Sequence, residues 1–131
     1  MTFVDTSVWI AWLRRGSGSV HQRLDLLLDE DRCYLPAPVR LELLSGVRTQ
    51  DAARLGRLLL SVPTRFPAPS TWALTETWCA LAARKGDRFG MGDLLVAAIA
   101  HEHGGRIWSL DGDFTRMARL GFIRLDDDRQ P

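Results

Sequence analysis

The chain has 131 residues and a mass of 14.7 kDa, with 46% hydrophobic, 25% charged and 8% aromatic residues. A chain of this length buries roughly two thirds of its unfolded surface around one core, and the mix excludes the disordered, collagen-like and disulfide-scaffold classes. A formal net charge of +1 announces no polyanion partner, yet Lys85 is the single lysine among 17 basic residues, and the planar fork of arginine suits phosphate groups.

Thr2-Phe3-Val4 is a short β-prone run ending at Asp5-Thr6-Ser7. Thr6 or Ser7 is expected to cap a helix running to about Arg15. After the Gly16-Ser17-Gly18-Ser19 turn, Val20, Leu24, Leu27 and Leu28 recur at helical spacing up to Asp29-Glu30-Asp31, which predicts an amphipathic helix. Cys33-Tyr34-Leu35 reads as a second strand, stopped by Pro36 and Pro38, and Val39, Leu43 and Val47 mark the inner stripe of the helix that follows, with Glu42 beside that stripe. A further helix is expected from Asp51 to Leu60, a brief strand at Arg65-Phe66, and a helix capped by Ser70 and reaching Lys85-Gly86.

Gly92-Asp93 then opens the apolar run Leu94 to Ala100. The run continues through Glu102 and His103 to Gly104-Gly105, too long for a strand, so helix is preferred. Arg106 to Leu110 reads as a strand, Asp111-Gly112-Asp113 as a turn, Phe114 to Leu120 as a short helix and Phe122-Ile123-Arg124 as a last strand. Helices alternating with short strands predict an α/β fold with a parallel sheet. Residues 1–131 read as a single domain with a loose polar tail over Asp126 to Pro131.

The apolar stretches are far shorter than the roughly 20 residues of a membrane span, and the start of the chain has no signal-peptide pattern, so no membrane partner and a cytoplasmic location are expected. Cys33 and Cys79 lack metal or redox spacing and are expected to be reduced, buried and chemically silent.

Ligands of parallel sheets gather outside the carboxyl ends of the strands. Acids stand at those ends: Asp5 after the first strand, Asp93 at the head of the apolar helix, and Asp111 with Asp113 after the Ile107 strand. Glu42 lies within a helix and joins them only if that helix aims it inward. No neighbouring cation in sequence balances Asp5 or Asp93, and carboxylates about 4 Å apart repel by roughly 4 kcal/mol at an effective dielectric of 20. Convergence therefore calls for a cation or raised pKa values, and an all-oxygen set favours Mg²⁺ or Mn²⁺. His101-Glu102-His103 is a poor ligand pair, because residues two apart on a helix diverge. Serine and phosphate-loop chemistries lack their motifs.

The chain resembles the PIN-domain ribonucleases, and among them the VapC-type toxins of bacterial toxin–antitoxin pairs. The resemblance rests on Phe3-Val4-Asp5-Thr6-Ser7, on Arg40 to Gly46, on Gly92 to Ala100, and on Ser109-Leu110-Asp111-Gly112-Asp113-Phe114, in that order along nearly the whole chain. It implies a PIN-like, three-layer α/β/α domain and an endoribonuclease that uses Mg²⁺, with Mn²⁺ as a substitute. Asp5, Glu42, Asp93 and Asp111 would form the acidic site, and Asp5 and Asp93 would hold the ion. Asp113 is a supporting alternative to Asp111, and the hydroxyls of Thr6 or Ser7 and of Ser109 would hold a water or an acid in place.

The resemblance also implies an RNA substrate, a homodimer and a small VapB-type antitoxin that covers the site. Trp9, Trp12 and Leu13 line a partner groove on one reading and the core on the other. Arg14, Arg15, Arg40 and Arg48 either guide RNA or cover solvated helix faces. Two other readings start from the same residues: a PIN-like module that holds RNA without cutting it, and a Mg²⁺-dependent phosphoryl-transfer enzyme on another α/β fold.

Overall fold

The computed structural model describes residues 1–14 and 16–126. Four parallel strands, β1 (Thr2–Val4), β2 (Cys33–Pro36), β3 (Thr64–Arg65) and β4 (Arg106–Trp108), line up in the order β3-β2-β1-β4. Between β1 and β2 run α1 (Thr6–Leu13) and α2 (Ser19–Asp29); between β2 and β3 run α3 (Ala37–Gly46), a single 3₁₀ turn and α4 (Ala52–Ser61). The helices α5 (Pro69–Arg84) and α6 (Met91–Glu102) then carry the chain to β4, and α7 (Gly112–Arg119) follows.

Strand order moves outward from β1 to β3 and then jumps back past β1 to β4. With right-handed crossovers, that reversal puts the earlier and later helices on opposite faces of the sheet. Burial agrees, because Thr2, Phe3 and Val4 are all buried although their side chains alternate between the faces. The same reversal makes the gap between β1 and β4 the topological switch point, where the carboxyl ends of adjacent strands splay into a crevice.

The central helix explains the apolar run. All seven residues from Leu94 to Ala100 are buried in α6, which packs on α5, α3, α7, β2 and β4. A helix that is apolar all round is a core helix. It ends at Gly104, whose φ of +66° is a left-handed turn, and at Gly105, where a Cβ would stand 2.6 Å from the Phe3 ring. Glycine is needed at the first for its backbone and at the second for its lack of a side chain.

Several expectations are corrected. Asp5 itself caps α1, since its carboxylate accepts from the Ser7 N–H, and Thr6 is already the first helical residue. Ser70 lies inside the first turn of α5, because Pro69 occupies the opening position and Ala68 precedes it. Phe122 to Arg124 is not a strand. Only Leu125 bridges to Ile107, while Phe122 stacks on Trp78 with ring centroids 4.5 Å apart.

Cys33 is buried, which pushes its thiol up to about 12, but Cys79 is exposed. Its place in α5 falls off the stripe of Thr71, Thr75, Trp78 and Ala82 that faces the interior. Trp9, Trp12 and Leu13 are buried core residues, and the Trp9 indole N–H donates to the Val4 carbonyl at 3.1 Å. Asp126, expected in a loose tail, pairs with Arg23 at 3.1 Å and donates its N–H to the Ile107 carbonyl at 2.8 Å. The remainder of that tail, 127–131, lies outside the described residues.

Candidate metal centre

The crevice between β1 and β4 is closed by hydroxyl and carboxylate groups. Asp5 continues the β1 ladder by donating its N–H to the Trp108 carbonyl at 3.0 Å, which turns its side chain out over the strand ends. Asp5 Oδ2 accepts from Ser109 Oγ at 2.7 Å and from Ser7 Oγ at 2.9 Å. Each hydroxyl in turn accepts a main-chain N–H, Ser109 from Asp111 and Ser7 from Leu110, both at 3.0 Å. Two serines 102 positions apart in the chain thus stitch the loop after β4 to the first turn of α1. Asp5 is only 6% exposed, and these bonds satisfy its buried charge.

Asp111 caps α7 by accepting the Asp113 N–H at 3.0 Å. Asp113 stands in the first turn of α7, where acids complement the helix dipole. Glu42 comes from the middle of α3. Burial of Val39 and Leu43 sets the rotation of that helix, and Glu42 Oε2 accepts from Thr6 Oγ1 at 2.7 Å. On its other side Gly92 leaves room: a Cβ there would lie 3.7 Å from Glu42 Oε1.

Asp93, in the first turn of α6, is where these groups meet. Its carboxyl is pushed up to about 6, first by burial and then by the negative charges of Asp5, Asp111, Asp113 and Glu42. Oxygens of Asp93, Asp111 and Asp113 lie within 4.8 Å of one another. Among the described residues, no arginine, lysine or histidine forms an ion pair with Asp5, Glu42, Asp93 or Asp111. This is a set of hard oxygen donors with excess negative charge, and it fits a divalent cation.

All the acids expected from the sequence are therefore at the crevice, as are Thr6, Ser7 and Ser109. The closest oxygens are those of Asp93, Asp111 and Asp113, while Asp5, held by its two serines, is the first of the charged neighbours that act on Asp93. Sequence reasoning missed Arg116 and Asp87. Arg116 donates to Asp113 Oδ1 at 2.7 Å and to Asp87 Oδ1 at 2.8 Å. The three-residue spacing of Asp113 and Arg116 was the one available signal.

The four arginines that either guide RNA or cover solvated helix faces do not share one location. Arg14 and Arg48 line a cavity of about 270 Å³ between α1 and α3, which Glu42 also borders. Arg40 points elsewhere, donating to Thr64 Oγ1 at 3.2 Å. Arg15 lies outside the described residues. His101 in the last turn of α6 and His103 just after it diverge as expected, with His101 Nδ1 at the Phe122 carbonyl and His103 Nδ1 at the Ile99 carbonyl. Among the described residues no helix is long and apolar enough to cross a membrane.

A parallel α/β domain with carboxylates massed at its switch point belongs to the class of folds that bind charged ligands at the carboxyl edge of the sheet. The chain belongs to the PIN domain family, whose sequence model matches residues 2–120. Curated relatives include a VapC ribonuclease of Mycobacterium bovis and ribonuclease VapC11 of Mycobacterium tuberculosis, each 29% identical over 125 residues, covering 92% of this chain and 93% of the relative. Among solved structures, VapBC2 of Rickettsia felis bound to a promoter DNA fragment matches with a TM-score of 0.78 at 15% identity, covering 95% of this chain and 96% of that one. VapC20 of Mycobacterium tuberculosis, described as a sarcin-ricin loop cleaving toxin, matches with a TM-score of 0.69 at 19% identity over 97% of this chain and all of that one. At those identities the structural matches concern the fold.

Proposed function

We propose that this PIN domain protein is a Mg²⁺-dependent endoribonuclease that hydrolyses RNA phosphodiester bonds and acts as the toxin of a VapBC-type pair. The observation that carries the reading is the convergence on Asp93 of four further carboxylates, Asp5, Glu42, Asp111 and Asp113. A module that merely held RNA would gain nothing from that repulsion, since phosphate is itself an anion. A phosphoryl-transfer enzyme on another fold is set aside by the family match.

Asp93 and Asp111 would hold the ion, with Asp113 and the second oxygen of Asp5 as further donors. Bound there, Mg²⁺ supplies an activated water and offsets negative charge on the phosphodiester. The chain's own part is orientation. Ser7 and Ser109 fix the rotation of the Asp5 carboxylate, Thr6 fixes Glu42, and the Asp113 N–H fixes Asp111. These contacts hold each oxygen donor in place before substrate arrives, so little reorganisation remains at the moment of reaction.

The likeness to the VapC ribonucleases and VapBC complexes supports an RNA substrate and a small VapB-type antitoxin encoded alongside; the proposal includes a homodimer acting in the cytoplasm. The deciding experiment is RNA cleavage by the purified protein in Mg²⁺, in EDTA, and with the Asp5→Asn and Asp93→Asn substitutions. Cleavage is expected with Mg²⁺ and in neither of the other conditions; activity that survived chelation and both substitutions would reject the mechanism. Co-expression with the neighbouring short reading frame is expected to suppress cleavage and to yield a stable complex.

A further inference from the structure

We propose that Arg116 is a substrate-binding residue, set to grip a phosphate oxygen of the RNA strand at the mouth of the acidic crevice. The inference rests on the ribonuclease reading above and adds to it the cation that the reading lacks. An RNA backbone must approach a crevice where five carboxylates meet, and every phosphate brings more negative charge. Among the described residues, Arg116 makes the one ion pair to a member of that acidic group, through Asp113.

Three contacts aim this side chain. One edge of the guanidinium meets Asp113 Oδ1 at 2.7 Å, another meets Asp87 Oδ1 at 2.8 Å, and its centre lies 4.6 Å from the centroid of the Phe89 ring. Asp87 and Phe89 belong to the segment that leads into α6, the helix that presents Asp93. The arginine therefore spans the two elements that carry Asp93 and Asp113. A guanidinium carries more N–H donors than two single-oxygen contacts consume, and the side chain is 38% exposed to the solvent from which a strand must enter.

Asp113 is shared between Arg116 and the close group with Asp93 and Asp111. When Asp113 is drawn toward a cation in that group, the N–H edge it releases is free for a phosphate, and Asp87 and Phe89 keep the guanidinium in place. An exposed ion pair of purely structural purpose adds little to stability, and its removal leaves RNA binding unmoved.

The test is binding of a labelled, mixed-sequence single-stranded RNA by fluorescence anisotropy across a salt series, in the Asp5→Asn background so that the strand is not consumed. Adding Arg116→Gln is expected to weaken binding about tenfold at low salt and to lower the slope of log affinity against log salt by about one. Arg116→Lys restores the slope. Asp87→Asn, which loosens the anchor without touching the acidic group, costs a few-fold. Mn²⁺ binding to the RNA-free protein, read by electron paramagnetic resonance, is expected to be as tight in Arg116→Gln as in its parent.

An unchanged salt slope in Arg116→Gln overturns the inference. So does a loss of Mn²⁺ affinity in step with the loss of RNA affinity, because Arg116 would then act only by placing Asp113. Failure of the unsubstituted protein to cleave RNA in Mg²⁺ overturns the ribonuclease reading and this inference together; cleavage by it alongside unaltered RNA affinity in Arg116→Gln overturns this inference alone.

Discussion

Asp5 and Asp93 stand at the same crevice, yet the protein treats their charges in opposite ways. Asp5 is buried, and Ser7 and Ser109 spend both of their hydroxyl protons on its Oδ2. Asp93 is half-buried, no side-chain donor among the described residues reaches its carboxylate, and burial together with four acidic neighbours pushes it up to about 6. One carboxylate is balanced by the fold, and the other is left for something from outside. Hydrogen bonds stabilise a buried charge where it is to stay fixed, whereas an unbalanced charge makes binding of a cation favourable.

The largest effect expected from breaking this contrast is at Asp93. Asp93→Asn is expected to lower RNA cleavage in Mg²⁺ about a thousandfold, the several kcal/mol that a lost contact to a metal ion represents. The same change should raise the melting temperature of the metal-free protein at pH 7 to 8. The native state holds its proton on Asp93 up to about pH 6, while the unfolded chain releases it near 3.8. Native protein therefore binds more protons between those values, and its stability falls as pH rises through that window. The advantage of the asparagine is present above about pH 6 and gone below about pH 4. Calorimetry in EDTA across that range checks it; an Asp93→Asn protein that melts lower than its parent at pH 8 contradicts the account of Asp93 as an unbalanced charge.

The two acids also differ in how far the sequence revealed them. Both were legible as carboxylates at a strand end and at the head of an apolar helix, because those are local signals. Their environments were not. Ser109 was expected only from family resemblance, and its meeting with Ser7 is a contact across 102 positions that strand order alone creates. Glu42 is a mid-helix acid whose aim depends on which residues of α3 are buried, and Thr6 settles it only in three dimensions. The ambiguous apolar run after Asp93 resolved as a helix by its length. The Phe122 segment misled because its aromatic residue signalled β structure while its ring was needed against Trp78. The cap of α1 misled because Asp5 does two jobs: it holds the Ser7 N–H as well as facing the crevice.

A second, smaller effect tests the balanced side. Ser109→Ala removes the shorter bond to Asp5 and the acceptor for the Asp111 N–H at once. The cost expected is about 10- to 100-fold in affinity for Mn²⁺, the usual scale for groups that orient metal ligands, with about 1 to 3 kcal/mol of stability from the polar groups left unpaired. Titration of the ion and denaturant unfolding measure the two separately. An ion affinity equal to the parent's would show that the serine seam closes the fold without orienting the acids.

The smallest effect is expected at Glu42, which is exposed and farthest from both extremes. Thr6→Val keeps the shape of the first residue of α1 and removes the hydroxyl that donates to Glu42 Oε2. Helix α3 still points Glu42 toward Gly92, so the loss is of rotational restraint alone, worth about 1 kcal/mol and hence a few-fold in cleavage rate. Stability should barely change, since an exposed carboxylate regains its hydrogen bonds from water. The comparison sharpens with Gly92→Ala. A Cβ 3.7 Å from Glu42 Oε1 is ordinary contact and leaves the backbone unstrained, but it narrows the space the glutamate sweeps. If restraint is what Thr6 supplies, Gly92→Ala in the Thr6→Val background recovers part of the lost rate; a further loss instead would mean that Glu42 must move during turnover.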